Sequence, residues 1–133
     1  MNITNAIAVF VGGGVGSLAR WLVGGLIDRI SAGTSGYSGL ISISGVLTAN
    51  LCATLLLALL TYSQGTKLES DSLWIALIGV GFCGGFSTFS TFSIDTFRLF
   101  EQGNTFAGFL NIALSVLSCL AVAWAVYSVY AKS

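Results

Sequence analysis

The sequence predicts an all-α membrane protein of four transmembrane helices, the third of them broken in mid-membrane. Three observations carry that expectation. Hydrophobic residues make up 55% of the 133-residue chain and charged residues only 8%, far from the balance of a soluble domain. The mean hydropathy is +0.91, and the apolar residues gather into four runs, each long enough to cross ~30 Å of hydrocarbon. Within the third run, Gly81-Phe82-Cys83-Gly84-Gly85-Phe86-Ser87-Thr88-Phe89-Ser90-Thr91-Phe92 mixes glycines, hydroxyls and phenylalanines without a charge.

The first run extends from Ile3 to Ile27. It lacks a basic n-region and is much longer than a signal h-region, so it reads as a span and not as a cleaved leader. Its Gly12-Gly13-Gly14-Val15-Gly16-Ser17 segment places Gly12 and Gly16 in a small-xxx-small pattern, which lets helix backbones approach closely in lipid. Packing within one chain and a dimer contact are both consistent with it. Arg20 lies near the span end, where it either snorkels to the headgroups or draws anions into a vestibule.

A connection from Asp28 to Gly36 leads to the second run, Leu40 to Tyr62. Gly45, Ala49 and Ala53 give this span a small-residue face of its own. Asn50 sits near its middle, and its amide suits either an interhelical clamp or a donor to an anion in transit. Thr48 and Thr54 are weaker candidates. Ser63 to Ser72 connects to the third run, Leu73 to Phe100, and Glu101-Gln102-Gly103-Asn104 forms a turn into the fourth, Thr105 to Tyr130. In that last span Asn111 and Ser115 are one helical turn apart, suited to a polar track or to helix–helix hydrogen bonding. Trp21, Trp74, Trp124, Tyr127 and Tyr130 fall near span ends, as interface anchors do. Residues 1–133 thus read as one four-helix transmembrane channel subunit, with both termini on one side and no room for a soluble domain.

Five basic and five acidic residues cancel, and there is no histidine. Such a chain has no electrostatic footprint for nucleic acid. With all five acids outside the centres of the apolar runs, it offers no zinc, haem or proton-relay cluster, and no catalytic set. Cys52, Cys83 and Cys119 each lie in an apolar run and are expected to act as small buried hydrophobes. Orientation follows from the Lys and Arg bias of short loops. Here Lys67 and Lys132 on one side face Arg20, Arg29 and Arg98 on the other. That near-balance allows insertion in both directions, so a chain can meet an inverted copy of itself and form an antiparallel dimer; one fixed orientation is the other reading.

Phe86, Phe89 and Phe92 recur every third residue, a spacing that forms one aromatic stripe on a continuous helix. Ser87 with Ser90 and Thr88 with Thr91 flank it. Ring edges are positive and can contact an anion without a fixed ammonium, which would hold the ion too tightly for conduction. The alternative is a packing stripe whose hydroxyls bond back to helix carbonyls. The adjacent Gly84 and Gly85 weaken the helix, and the sequence therefore predicts the break at those glycines. Freed carbonyls there suit a monovalent cation, and the restarted helix offers N–H groups and a positive dipole end.

The twelve-residue stretch resembles the signature of the Fluc/CrcB family of fluoride channels. Gly13-Gly14-Val15-Gly16-Ser17-Leu18-Ala19-Arg20-Trp21 is similar to the family's glycine-rich first helix, Gly45-Val46-Leu47-Thr48-Ala49-Asn50 to its second-helix motif, and Asn111 with Ser115 to the polar pair of its last helix. The resemblance implies a dual-topology antiparallel homodimer in the plasma membrane, the bacterial inner membrane. Such a dimer exports fluoride passively through two pores around a central structural sodium ion. It implies that Phe89 and Phe92 are the pore phenylalanines, Asn50 the pore amide and Ser90 with Thr91 hydroxyl contacts. Asn111 and Ser115 would continue the path and Arg20 stand in the vestibule. Gly84 and Ser87 would give backbone carbonyls to Na+ from both subunits. Trp21 replaces the usual tyrosine, Ser87-Thr88 a common pair of threonines, and Asn111 the tyrosine of some members. Two other functions compete: a small dual-topology drug/proton antiporter, which wants an intramembrane carboxylate that the first span lacks before Asp28, and a structural assembly subunit that passes no ions.

Overall fold

The computed structural model describes residues 2–31, 38–63 and 73–131. These form α1 (Ile3–Ser31), α2 (Ser38–Ser63), a π-helical segment (Ile75–Cys83) that runs into the short α3 (Gly84–Phe86), α4 (Phe89–Glu101) and α5 (Thr105–Tyr130). Four spans are long and apolar enough to cross a membrane: Ile3–Ile27, Ile43–Ser63, Ile75–Glu101 and Thr105–Tyr130. They match the four apolar runs almost end for end. Of the expected connections, the first begins later than predicted, because α1 continues to Ser31. Lys67 and Lys132, one side of the charge comparison, lie outside the described residues.

The third span is not broken at its glycines. Gly84 and Gly85 are helical, and the chain turns extended only at Ser87 (φ −75°, ψ 156°) and Thr88 (φ −151°, ψ 116°). The glycines have a different use. A Cβ on Gly85 would strike the backbone of Gly13, one on Gly12 the carbonyl of Leu77, and one on Gly16 the carbonyl of Phe82. Gly81 would likewise meet Gly12 Cα and Val9 O, each at 3.0 Å. First and third spans therefore meet backbone to backbone along a seam that has no room for a methyl group. Without a hydrophobic drive between helices in lipid, such close packing is what holds them. The Gly12/Gly16 pattern is thus used inside the chain.

Ala49, Ala53, Cys83 and Phe86 form the buried core, with Ala19, Val23, Leu56, Ile78 and Phe82 packed against it. Phe86 stacks on Phe82 (centroids 5.5 Å apart), while Phe89 and Phe92 pair beyond the break at 5.6 Å. The expected single stripe is therefore divided, because the extended residues rotate α4 out of register with α3. Of the cysteines, Cys83 is buried as expected, Cys119 is half-buried and Cys52 is exposed on the outer face of α2. Trp21, Trp74 and Trp124 are well exposed near span ends, as anchors would be.

The turn between α4 and α5 follows the predicted residues. Asn104 N–H donates to Leu99 O (2.9 Å) and Gly103 N–H to Phe100 O (3.0 Å), the paired bonds of a Schellman cap. Gly103 takes φ +77°, the left-handed conformation that disfavours a side chain. Past the turn, a Cβ on Gly108 would strike the Phe100 ring, so this glycine brings α5 against α4.

Candidate functional site

A helix interrupted at membrane depth must find partners for its backbone from protein or enclosed water. Asn50 supplies them. Thr88 N–H donates to Asn50 Oδ1 at 2.8 Å, and Asn50 Nδ2 donates to Thr88 O at 3.4 Å. Thr88 also caps α4, since Thr91 N–H donates to Thr88 Oγ1 at 3.3 Å, a role suited to threonine. In an unbroken helix the N–H groups of Thr88 and Thr91 would bond to the carbonyls of Gly84 and Ser87. Both donors are diverted, to Asn50 and to the Thr88 hydroxyl. The carbonyls expected to be freed by glycine weakness are released instead by this diversion.

The neighbouring carbonyl, Gly85 O, accepts from Arg20 Nε at 3.2 Å and lies 3.5 Å from Ser17 Oγ. Arg20 is half-buried. Neither a purely snorkelling nor a purely vestibular arginine describes it, because its Nε–H closes the end of α3.

Beside the break lies a cavity of about 330 Å³, lined by Asn50, Thr54, Ser87, Thr88, Phe89, Phe92, Ser115, Val116, Cys119 and Leu120. It brings together Asn50, Ser87, Phe89, Phe92 and Ser115 from three spans. The N-terminus of α4 opens beside it, with first-turn N–H groups that have no intrahelical acceptor. Phe92 is buried but Phe89 is 78% exposed, so most of the Phe89 ring is open at the subunit surface. Ser90 is exposed and Thr91 half-buried. Their hydroxyls lie 3.2 and 3.1 Å from Thr88 Oγ1.

Asn111 is buried between α4 and α5 and does not line the cavity. Its Nδ2 donates to Thr96 Oγ1 at 2.8 Å, Ser115 Oγ donates to Asn111 Oδ1 at 3.4 Å, and Thr96 Oγ1 donates to Phe92 O at 2.7 Å. This chain ties α5 to the turn that carries Phe92, which favours the helix–helix reading for Asn111. Ser115 alone of the pair reaches the cavity.

Sequence reasoning missed three participants. Thr88 reads there only as a hydroxyl flanking the aromatic stripe, and Thr96, beyond the Gly81–Phe92 stretch, is not singled out. Asp95 lies inside the third span, buried, with Arg98 Nη1 3.5 Å from its Oδ1; its (i, i+3) spacing from Arg98 was the available signal. Among the described residues no cluster of three metal-ligating side chains occurs. A donor set of neutral backbone carbonyls at Gly84 and Ser87 nevertheless suits a hard monovalent cation.

Together the fold and cavity define a multi-pass membrane protein whose third span is interrupted beside a polar pocket built by three helices. Within that class the chain belongs to the CrcB family, described as CrcB-like protein, Camphor Resistance, whose profile matches residues 7–127. Its relatives include three proteins named fluoride-specific ion channel FluC. That of Coxiella burnetii is 37% identical over 121 residues, covering 90% of this chain and 92% of the relative. That of Geobacter sulfurreducens is 38% identical over 124 residues, 92% of this chain and 94% of the relative. The Pyrococcus abyssi protein is 34% identical over 117 residues, 88% of each chain.

Proposed function

We propose that this protein is a fluoride channel that lets cytoplasmic fluoride leak passively out of the cell and so limits its toxicity. The observation that carries the reading is the cavity beside the Ser87–Thr88 break, where Phe89 and Phe92 meet Asn50, Ser87 and Ser115 without a fixed cation among its lining residues. Ring edges, an amide and hydroxyls offer many weak positive contacts, so an anion can enter and also leave. In this reading Phe89 and Phe92 contact the ion, Asn50 and the Ser90 and Thr91 hydroxyls line its path, and Arg20 stands at the vestibule. Ser115 borders the path, and Asn111 serves it by holding Ser115 and Thr96.

The active unit in this reading is an antiparallel homodimer in the plasma membrane, the inner membrane in a bacterium. The exposed Phe89 ring and Ser90 hydroxyl support it, since a pore wall open to lipid would not retain a polar ion. A sodium ion at the dimer centre would be held by the Gly84 and Ser87 carbonyls of both subunits; such an ion supplies positive charge and a fixed geometry to the join.

The decisive measurement reconstitutes purified protein in liposomes and follows fluoride and chloride efflux side by side. Fluoride is expected to leave rapidly and chloride hardly at all. Equal rates for the two anions, or none for either, would overturn the reading. The antiporter alternative draws on one observation, the buried Asp95 in the third span; proton-driven uptake of a cationic dye by the same liposomes would favour it.

A further inference from the structure

The Thr88 hydroxyl touches both hydroxyls assigned above to the anion path, and its bonding capacity is limited. A threonine Oγ1 has one proton and two lone pairs. The N–H of Thr91 takes one lone pair, at 3.3 Å. One proton and one lone pair are then left to face Ser90 Oγ at 3.2 Å and Thr91 Oγ1 at 3.1 Å. Thr88 can therefore donate to one of these hydroxyls and accept from the other, but cannot accept from both. The hydroxyl that receives the Thr88 proton keeps its own, and that proton finds no other hydrogen-bond acceptor among the described residues.

Thr88 itself has little freedom to abandon this place. It is buried, its N–H and C=O are both held by Asn50, and it forms the wall of the cavity with Ser87 and Phe89. Resting on the fluoride reading, we propose that Thr88 is a positioning residue that leaves one free O–H in the hydroxyl cluster, at Ser90 or at Thr91. Rotation of the Thr88 O–H moves that free donor from one to the other. A passing anion then meets a single hydroxyl donor from this cluster at a time, which keeps its binding weak enough for release.

The test compares fluoride efflux from liposomes containing the parent, Thr88→Ser and Thr88→Val. The serine variant keeps the donor–acceptor hydroxyl and is expected to conduct within about twofold of the parent. The isosteric valine variant leaves both the Ser90 and Thr91 protons free, holds the anion more tightly and is expected to lose about tenfold or more in efflux, the scale of one added hydrogen bond to a charged group. Parental flux in Thr88→Val would overturn the proposal, as would equal losses in the serine and valine variants. If the valine variant does not elute as a folded protein, Ser90→Ala, Thr91→Val and their combination decide. Each single variant retains a hydroxyl pair with a free proton, so the double variant is expected to lose more than the product of the single losses; a simple product, the mark of independent sites, would overturn it. A parent that releases no fluoride would overturn both this proposal and the channel reading, whereas a conducting parent with an unaffected Thr88→Val would overturn this proposal alone.

Discussion

Asn50 and Thr88, 38 positions apart, are joined by two hydrogen bonds in which the side-chain amide of one pairs with the main-chain N–H and C=O of the other. The asparagine thereby takes the place of the missing helical turn. Asn50→Asp keeps the acceptor for Thr88 N–H, loses the donor to Thr88 O, and sets a carboxylate beside the anion cavity. It is expected to abolish fluoride efflux while the protein still folds. Asn50→Ala strands both main-chain groups and is expected to cost about 1–3 kcal/mol of stability, read from the denaturation midpoint in detergent.

The seam between α1 and the third span predicts opposite outcomes for two glycines of the same helix. Gly16→Ala forces a methyl group against Phe82 O and is expected to destabilise by about 1–3 kcal/mol. At Gly14 the space a methyl group would take has no neighbour within 4 Å, and Gly14→Ala is expected to be neutral or stabilising by up to about 1 kcal/mol through helix propensity. Thermal denaturation of both variants in one detergent checks the contrast.

Phe89→Ile and Phe92→Ile preserve apolar bulk and remove the ring edges. Each is expected to lower fluoride efflux by at least about tenfold, equivalent to about 1.4 kcal/mol, with an unchanged elution profile. Parental flux in both would return the two rings to a packing role.

Thr96→Val and Asn111→Ala break the same buried bond. Individually each is expected to cost about 0.6–1.7 kcal/mol, the range of interhelical hydrogen bonds in membranes. Because they share that bond, the double variant is expected to cost less than the sum, measured as a double-mutant cycle on unfolding.

The proposed central cation predicts anomalous scattering from a heavier monovalent substitute at the Gly84 and Ser87 carbonyls of a crystallised dimer. A centre without ion density would remove it.

The spans, their order and the turn at Gly103 were legible because hydropathy and turn chemistry are local properties. So was the polar content of the site: Asn50, Phe89, Phe92 and Ser115 were named from the sequence and meet at one cavity. The position of the break was not. Gly84-Gly85 carries the stronger helix-breaking signal, yet both residues are helical and Gly85 serves to pack against Gly13, while the chain turns extended at Ser87 and Thr88, where Asn50, distant in sequence, receives the Thr88 backbone. The roles of Arg20, at Gly85 O, and of Asn111, at Thr96, likewise depend on partners that no local pattern names.

The glycine seam also bears on biogenesis. Its two sides belong to the first and third spans, so α1 is synthesised before the segment it packs against most closely. Until that partner is made, Gly12 and Gly16 lack the third-span backbone they pack against. The closest packing of the first span therefore forms only after the third has been synthesised, and a chain ending before the third span lacks the backbone that fills the glycine face.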